Sequence, residues 1–170
     1  MEKRKLNSEI VKRIRSDKEN LVIPAINHLR NRIRSAVYIP EIIDLLHKTK
    51  NDIIRRELTL FLADMKDASG IPYIMEALNN RQYQKIWHEI IATCWQSGLN
   101  FSGYLETFVD IFLEEDYLTA LEAFSVIEQS IIHLEESRIK HYRDYLVSNL
   151  EAVNEEKKPL VSELINIMST

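Results

Sequence analysis

The chain has 170 residues, 45% hydrophobic and 28% charged, with a net charge of −4 at pH 7, which suits one globular domain with a sizeable core and excludes a disordered or low-complexity chain. With three glycines, four prolines, no Asn-Gly or Asp-Gly pair and no sustained period-two run, hairpins and sheets have little support and the expected class is all-α. No run of eighteen apolar residues occurs, the first sixteen residues hold no apolar block, and the single Cys94 cannot close an internal disulfide; the expectation is a cytoplasmic chain with no membrane partner.

In chain order, Asn7 or Ser8 can cap a first helix through about Ser16, and Asp17 the next, 18–32, because these side-chain oxygens accept the free first-turn N–H groups. Pro24 falls inside that second helix. It removes one backbone hydrogen bond, so a bend near Val22–Ile23 is expected, or a helix that starts there. A third helix covers 36–48 with Pro40 in its first turn and a core face of Ile39, Ile42, Ile43 and Leu46. Asn51 caps the fourth, whose core face is Ile54, Leu58, Phe61, Leu62 and Met65. Helices then follow over 71–79, with Pro72 in the first turn, over 81–97, stopped by Gly98, and over 101–114, 117–130, 136–153 and 159–168.

IPEIIDLL at Ile39–Leu46 recurs as IPYIMEAL at Ile71–Leu78 and more loosely as LETFVDIF at Leu105–Phe112, at offsets of 32 and then 34 residues. The helix before each recurs too: a shift of 32 pairs Ile54 with Ile86, Glu57 with Glu89 and Leu58 with Ile90. A period in the thirties is the mark of a helical-repeat array, in which each helix pair buries its apolar face only by stacking on its neighbours. Short connections make successive helices antiparallel. The expected architecture is an α-solenoid in one domain, with about four hairpins at 18–48, 51–79, 81–114 and 117–153 and capping helices at 7–16 and 156–168.

These residues resemble the HEAT-repeat family, within the armadillo-like helical arrays. An apolar-striped helix with Asp near its start, Arg soon after, then Leu and a small residue, an acidic turn and a second helix opening on an apolar-Pro pair is met by Asp52, Arg55 or Arg56, Leu62, Ala63, Asp67, Ile71 and Pro72. In the next unit Trp87 and His88 stand where Arg55 and Arg56 would be. The resemblance implies a right-handed α-solenoid whose second helices line a concave surface that holds another protein. Some HEAT-like proteins are DNA glycosylases that use Trp residues beside an acid, and others are bilin lyases. Here Ile91 follows Trp87 and Leu99 follows Trp95 by one turn, so neither Trp has the acid.

Asp44, Glu76 and Asp110 occupy one repeat position in the second helices, pointing away from the core stripe. They form a candidate acidic ladder for a basic or helical segment of a partner, the alternative being local ion pairs of the kind common on surfaces. Tyr83, Trp87, Ile91 and Trp95 follow one another at every fourth position. Tyr83, Trp87 and Trp95 are candidate interface anchors, for a partner or a homodimer, or else core residues of a central helix. Charge is uneven: residues 1–34 carry ten Lys or Arg against four acids, and the rest carry twelve against twenty-two. Lys12, Arg13, Arg15, Arg30, Arg32 and Arg34, with Lys3 and Lys5, form a candidate anion-binding end that could meet nucleic acid, although a pI of about 5.8 weighs against that role. The five His residues and one Cys show no metal-ligand spacing, and no phosphate loop, dinucleotide fingerprint or nucleophile elbow occurs. The expected function is therefore a protein-binding scaffold with no catalytic residues and no cofactor.

Overall fold

The computed structural model describes residues 6–30 and 35–169. Among them are ten α-helices and no strand, and no helix is long and apolar enough to cross a membrane. The chain divides into two compact units, Met1–Leu99 and Asn100–Thr170. The division falls inside the span 81–114 that the repeat pattern assigns to one hairpin.

Unit 1 holds α1 (Ser8–Ile14), α2 (Glu19–Arg30), α3 (Ile39–Lys48), α4 (Asp52–Ala63), α5 (Ile71–Leu78) and α6 (Trp87–Ser97). Its helix starts follow side-chain chemistry. The Asn7 side chain accepts from the N–H groups of Glu9 and Ile10, and that of Asn51 from Ile53 and Ile54, each satisfying two free first-turn donors. Pro40 and Pro72 sit in the first turns of α3 and α5, where a missing N–H costs nothing. Three of these helices are entered through tight 3-10 segments: Ser35–Tyr38 before α3, Ala68–Gly70 before α5 and Arg81–Ile86 before α6.

Two capping expectations change. The structure has α2 running unbroken from Glu19 to Arg30 with Pro24 inside it and exposed, so the helix does not start at Val22–Ile23. Asp17 takes the left-handed conformation, φ 52°, and its carboxylate accepts from the Thr49 hydroxyl at 2.6 Å. The N–H groups of Leu21 and Val22 bond instead to the Lys18 carbonyl. Over 81–86 the expected α-helix is a 3-10 helix, set by the Asn80 side chain accepting from Gln82 N–H and ended where Ile86 leaves helical geometry (φ −117°, ψ 11°).

Helix α4 packs on both α2 and α6, while α3 packs on α4 and α5. The reason is the apolar spacing. Ile39, Ile42 and Leu46 of α3 and Ile54, Leu58 and Leu62 of α4 are all fully buried, and each such side chain contributes roughly 1.5–3 kcal/mol. Gly70 leaves room for Ile39 of α3 and for Met65, just past the end of α4: a Cβ there would stand 2.2 Å from Met65 Sδ and 2.7 Å from Ile39 Cδ1.

Polar contacts tie residues one repeat period apart. Thr49 donates to Asp17, and Asn51 Nδ2 donates to Glu19 at 2.7 Å, both across 32 residues. Arg30 pairs with Asp64 at 2.5 Å and Glu57 at 3.3 Å. Arg55 pairs with Glu89 and also donates to the carbonyls of Leu46 and Thr49, which closes the C-terminal end of α3. Lys66 Nζ does the same for Ser97 at the end of α6, at 2.7 Å, next to Gly98, whose φ of 68° ends the helix.

Unit 2 holds α7 (Leu105–Glu114), α8 (Tyr117–Ile131), α9 (Glu136–Asn149) and α10 (Lys158–Ile167). α7 and α8 form a tight hairpin, with the Asp116 side chain capping α8 through Thr119 N–H. Its core is built on Phe101, Phe108 and Phe112, all essentially buried, with Phe101 and Phe108 edge to face at 5.7 Å. α10 packs on α8 and α9. α9 buries only Tyr142 and Leu146 and ends at Asn149, short of the expected 153, because Leu150–Val153 enters a run of turns.

Candidate functional site

In α3 the residues left over by the buried set are Pro40, Glu41, Asp44, His47 and Lys48, and in α5 Glu76 is exposed beside buried Met75 and Ala77. Tyr83, in the 3-10 segment before α6, lies against this face: its ring meets His47 edge to face with centroids 5.4 Å apart. Burial raises the Tyr83 hydroxyl pKa first, and the charges of Asp44, Glu41 and Glu76 raise it further against the opposing Lys48. One phenol thus sits in the field of three carboxylates from two helices.

Local cations answer two of these acids. Asp44 pairs with Lys48 at 2.7 Å, and Arg15 holds Glu41 through both Nε and Nη2 at 2.7 Å, which raises the Arg15 pKa. The side chains of Lys48 and Arg15 are 63% and 64% exposed, so water competes for both pairs. Glu76 has no ion-pair partner among the described residues. His47 Nδ1 is buried with no hydrogen-bond partner among them. The site offers surplus negative charge with two aromatic rings in its floor.

The third carboxylate of the expected ladder, Asp110, belongs to unit 2. There the Tyr145 hydroxyl donates to it at 3.5 Å. Burial, then Glu114 and Glu106, raise its pKa above the usual carboxylate range, while Tyr145 opposes them.

The aromatic stripe is divided. Trp87 is buried, its Nε1 donates to the Ala77 carbonyl at 3.3 Å, and the Arg81 guanidinium lies 5.1 Å from its ring centroid. Ile91 is also core, Trp95 is half-buried, and only Tyr83 turns to the α3 face. The 3-10 segment explains the division, since its 120° advance per residue breaks an every-fourth-residue alignment with α6.

Of the basic candidates, Lys12 is exposed, Arg13 pairs with Glu9 at 3.0 Å, Arg15 with Glu41, and Arg30 with Glu57 and Asp64. Lys3, Lys5, Arg32 and Arg34 lie outside the described residues. A cleft of about 320 Å³ between α1 and α2 is lined by Asn7, Glu9, Ile10, Arg13, Pro24, Ala25 and His28. No group of three His, Cys, Asp or Glu able to hold a metal occurs among the described residues. Cys94 is fully buried and burial drives its thiol pKa far up, which removes the thiolate needed for nucleophilic chemistry.

Reading the sequence missed Glu41 and His47, and it assigned Arg15 to an anion-binding end where the structure has it holding Glu41. Glu41 and Lys48 stand three before and four after Asp44, a spacing that places them on its face. Nothing in the sequence signals the bond from Arg15, which is 26 residues from Glu41. Comparison with known proteins finds no matching family model, no matching curated protein and no matching solved structure.

Proposed function

We propose that this chain is a non-catalytic binding scaffold, a HEAT-like right-handed α-solenoid whose second helices present an acidic surface to a basic segment of another protein. The observation that carries the reading is Tyr83 packed edge to face on His47 of α3, the helix that also carries Glu41 and Asp44, with the charges of these two acids and of Glu76 raising its hydroxyl pKa after burial. Lysine or arginine side chains can replace the exposed Lys48 and Arg15 as partners of these acids, and their stems or guanidinium planes can stack on Tyr83 and His47. The recurrence of IPEIIDLL as IPYIMEAL, with contacts between positions 32 apart, supports the solenoid. Asp110 then takes the same role on α7.

The test is affinity capture with the wild type and with Asp44→Lys/Glu76→Lys, both shown by circular dichroism to be folded. At least one captured protein should be lost from the variant, and the same one should be released by salt. Identical capture profiles would remove the acidic surface from the reading. Small-angle scattering addresses the architecture: a compact domain of this length has a radius of gyration of about 15–16 Å, and a solenoid must exceed it.

A further inference from the structure

The C-terminal helix of unit 2 is fastened at its root. Lys157, immediately before α10, is 3% exposed, and its Nζ donates to the main-chain carbonyls of Phe112 at 3.2 Å, Leu113 at 2.6 Å and Glu115 at 2.8 Å. These oxygens lie at the C-terminal end of α7, where the last carbonyls have no intrahelical donor and the helix dipole favours a cation. α7 has no left-handed residue to close it: Glu115 is extended, φ −84° and ψ 177°. An ammonium has three N–H donors, and three carbonyls use all of them. Burial pushes the Lys157 pKa below the usual lysine range, with Glu115 and Asp116 pulling it back. The three bonds and the dipole are what offset taking this charge out of water.

The rest of the attachment is thin. α10 buries Val161 and Leu164, with Met168 just beyond its end. The chain leading into it, 151–156, is almost wholly exposed turn. Among the described residues Lys158 pairs with Glu151 and Glu155 of that same stretch, whose side chains are 89% and 88% exposed.

We propose that Lys157 is the latch of a detachable C-terminal strap. With its ammonium seated on α7, α10 lies on α8 and α9; without it, segment 151–169 comes away as one piece before the rest of unit 2 opens. Local opening of this kind is the behaviour of elements with few buried contacts, and the buried charge makes the closed state depend on one side chain.

Hydrogen exchange on the full chain tests the proposal. In Lys157→Met, amides of 158–169 should exchange about 10–100-fold faster, the effect of losing hydrogen bonds to a charged group, while those at the centre of α8 stay as in the wild type. Unchanged protection of α10 overturns the latch. Equal acceleration throughout α7–α10 overturns it too, since Lys157 would then serve only global stability. Should the variant not fold, the wild type decides: under rising denaturant α10 must open ahead of α8, and a single shared transition refutes the strap.

Discussion

In unit 1 a series of long-range polar contacts runs at 31 to 34 positions, Asp17 with Thr49, Glu19 with Asn51, Arg30 with Asp64, Arg55 with Glu89 and Lys66 with Ser97, beside Arg15 with Glu41 at 26 and Arg30 with Glu57 at 27. In unit 2 the long-range contacts include a 3.5 Å bond from Tyr145 to Asp110 and the three bonds of Lys157, across 42 to 45 positions. Where the sequence period is clear, neighbouring elements present equivalent positions to each other, and polar side chains can stitch them in register. Where it fades, one buried cation gathers three bonds at a single helix end. The lesson is that a repeat in sequence acts through pair contacts between its copies as well as through apolar stripes.

The largest test of this contrast is core deletion in each unit. Leu58→Ala in unit 1 should cost ~2–5 kcal/mol and Phe108→Ala in unit 2 ~3–5 kcal/mol. Both tryptophans, Trp87 and Trp95, lie in unit 1, so their fluorescence follows that unit while circular dichroism follows both. Phe108→Ala should shift the dichroism transition and leave the fluorescence midpoint in place. A common shift would merge the units into one cooperative block.

Next is the stitching itself. Arg55→Met removes the Glu89 pair and two carbonyl caps, an expected loss of ~1.5–3 kcal/mol for hydrogen bonds to a half-buried charge, read as a lower denaturation midpoint by fluorescence. An effect below ~0.5 kcal/mol would mean that the apolar stripes alone hold unit 1. Gly70→Ala should cost ~1–3 kcal/mol through overpacking, because Met65 must move from the path of the new methyl group. A double change with Met65→Ala should recover part of the Gly70→Ala cost, and additivity in that cycle would place the strain elsewhere.

The smallest effect has the opposite sign. Asp110→Asn removes the repulsion between this carboxylate and two like charges one turn away, Glu106 and Glu114, and should stabilise unit 2 by ~0.4–1 kcal/mol at pH 7. Asp110 has a raised pKa in the fold, so the folded state holds its proton more tightly than the unfolded chain does. Wild-type stability is therefore lost as pH rises through the interval between the unfolded and folded values. The gain from Asn is full above that interval and absent below the ordinary carboxylate value of about 3.9. Melting curves at pH 7 and pH 3 check it.

Much of this was legible in the chain. The caps at Asn7 and Asn51, the prolines at positions 40 and 72, the stop at Gly98 and the buried faces of α3 and α4 stand where local rules put them. Those features depend on neighbours within a turn or two. The rest depends on distant ones. Six residues are too few to distinguish a period of 3.0 from 3.6, so the 3-10 form of 81–86 was hidden. Asp17 reads as a cap until Thr49, a whole period away, claims its carboxylate. Periodicity puts Asp44 and Glu76 at one repeat position but counts Tyr83 with the helix that follows. Lys157 sits in the run Glu155-Glu156-Lys157-Lys158, which reads as solvated surface, and only the end of α7 reveals what it serves.

One consequence of the α6 packing reaches beyond stability. The molecule has a single sulfhydryl, at Cys94, with no accessible surface and its Sγ against the Ile90 carbonyl at 3.4 Å. A thiol-directed dye can therefore reach it only while the interior around α6 is open. Its labelling rate is a built-in clock for the breathing of unit 1, free of background from any second cysteine, and it needs no engineered probe.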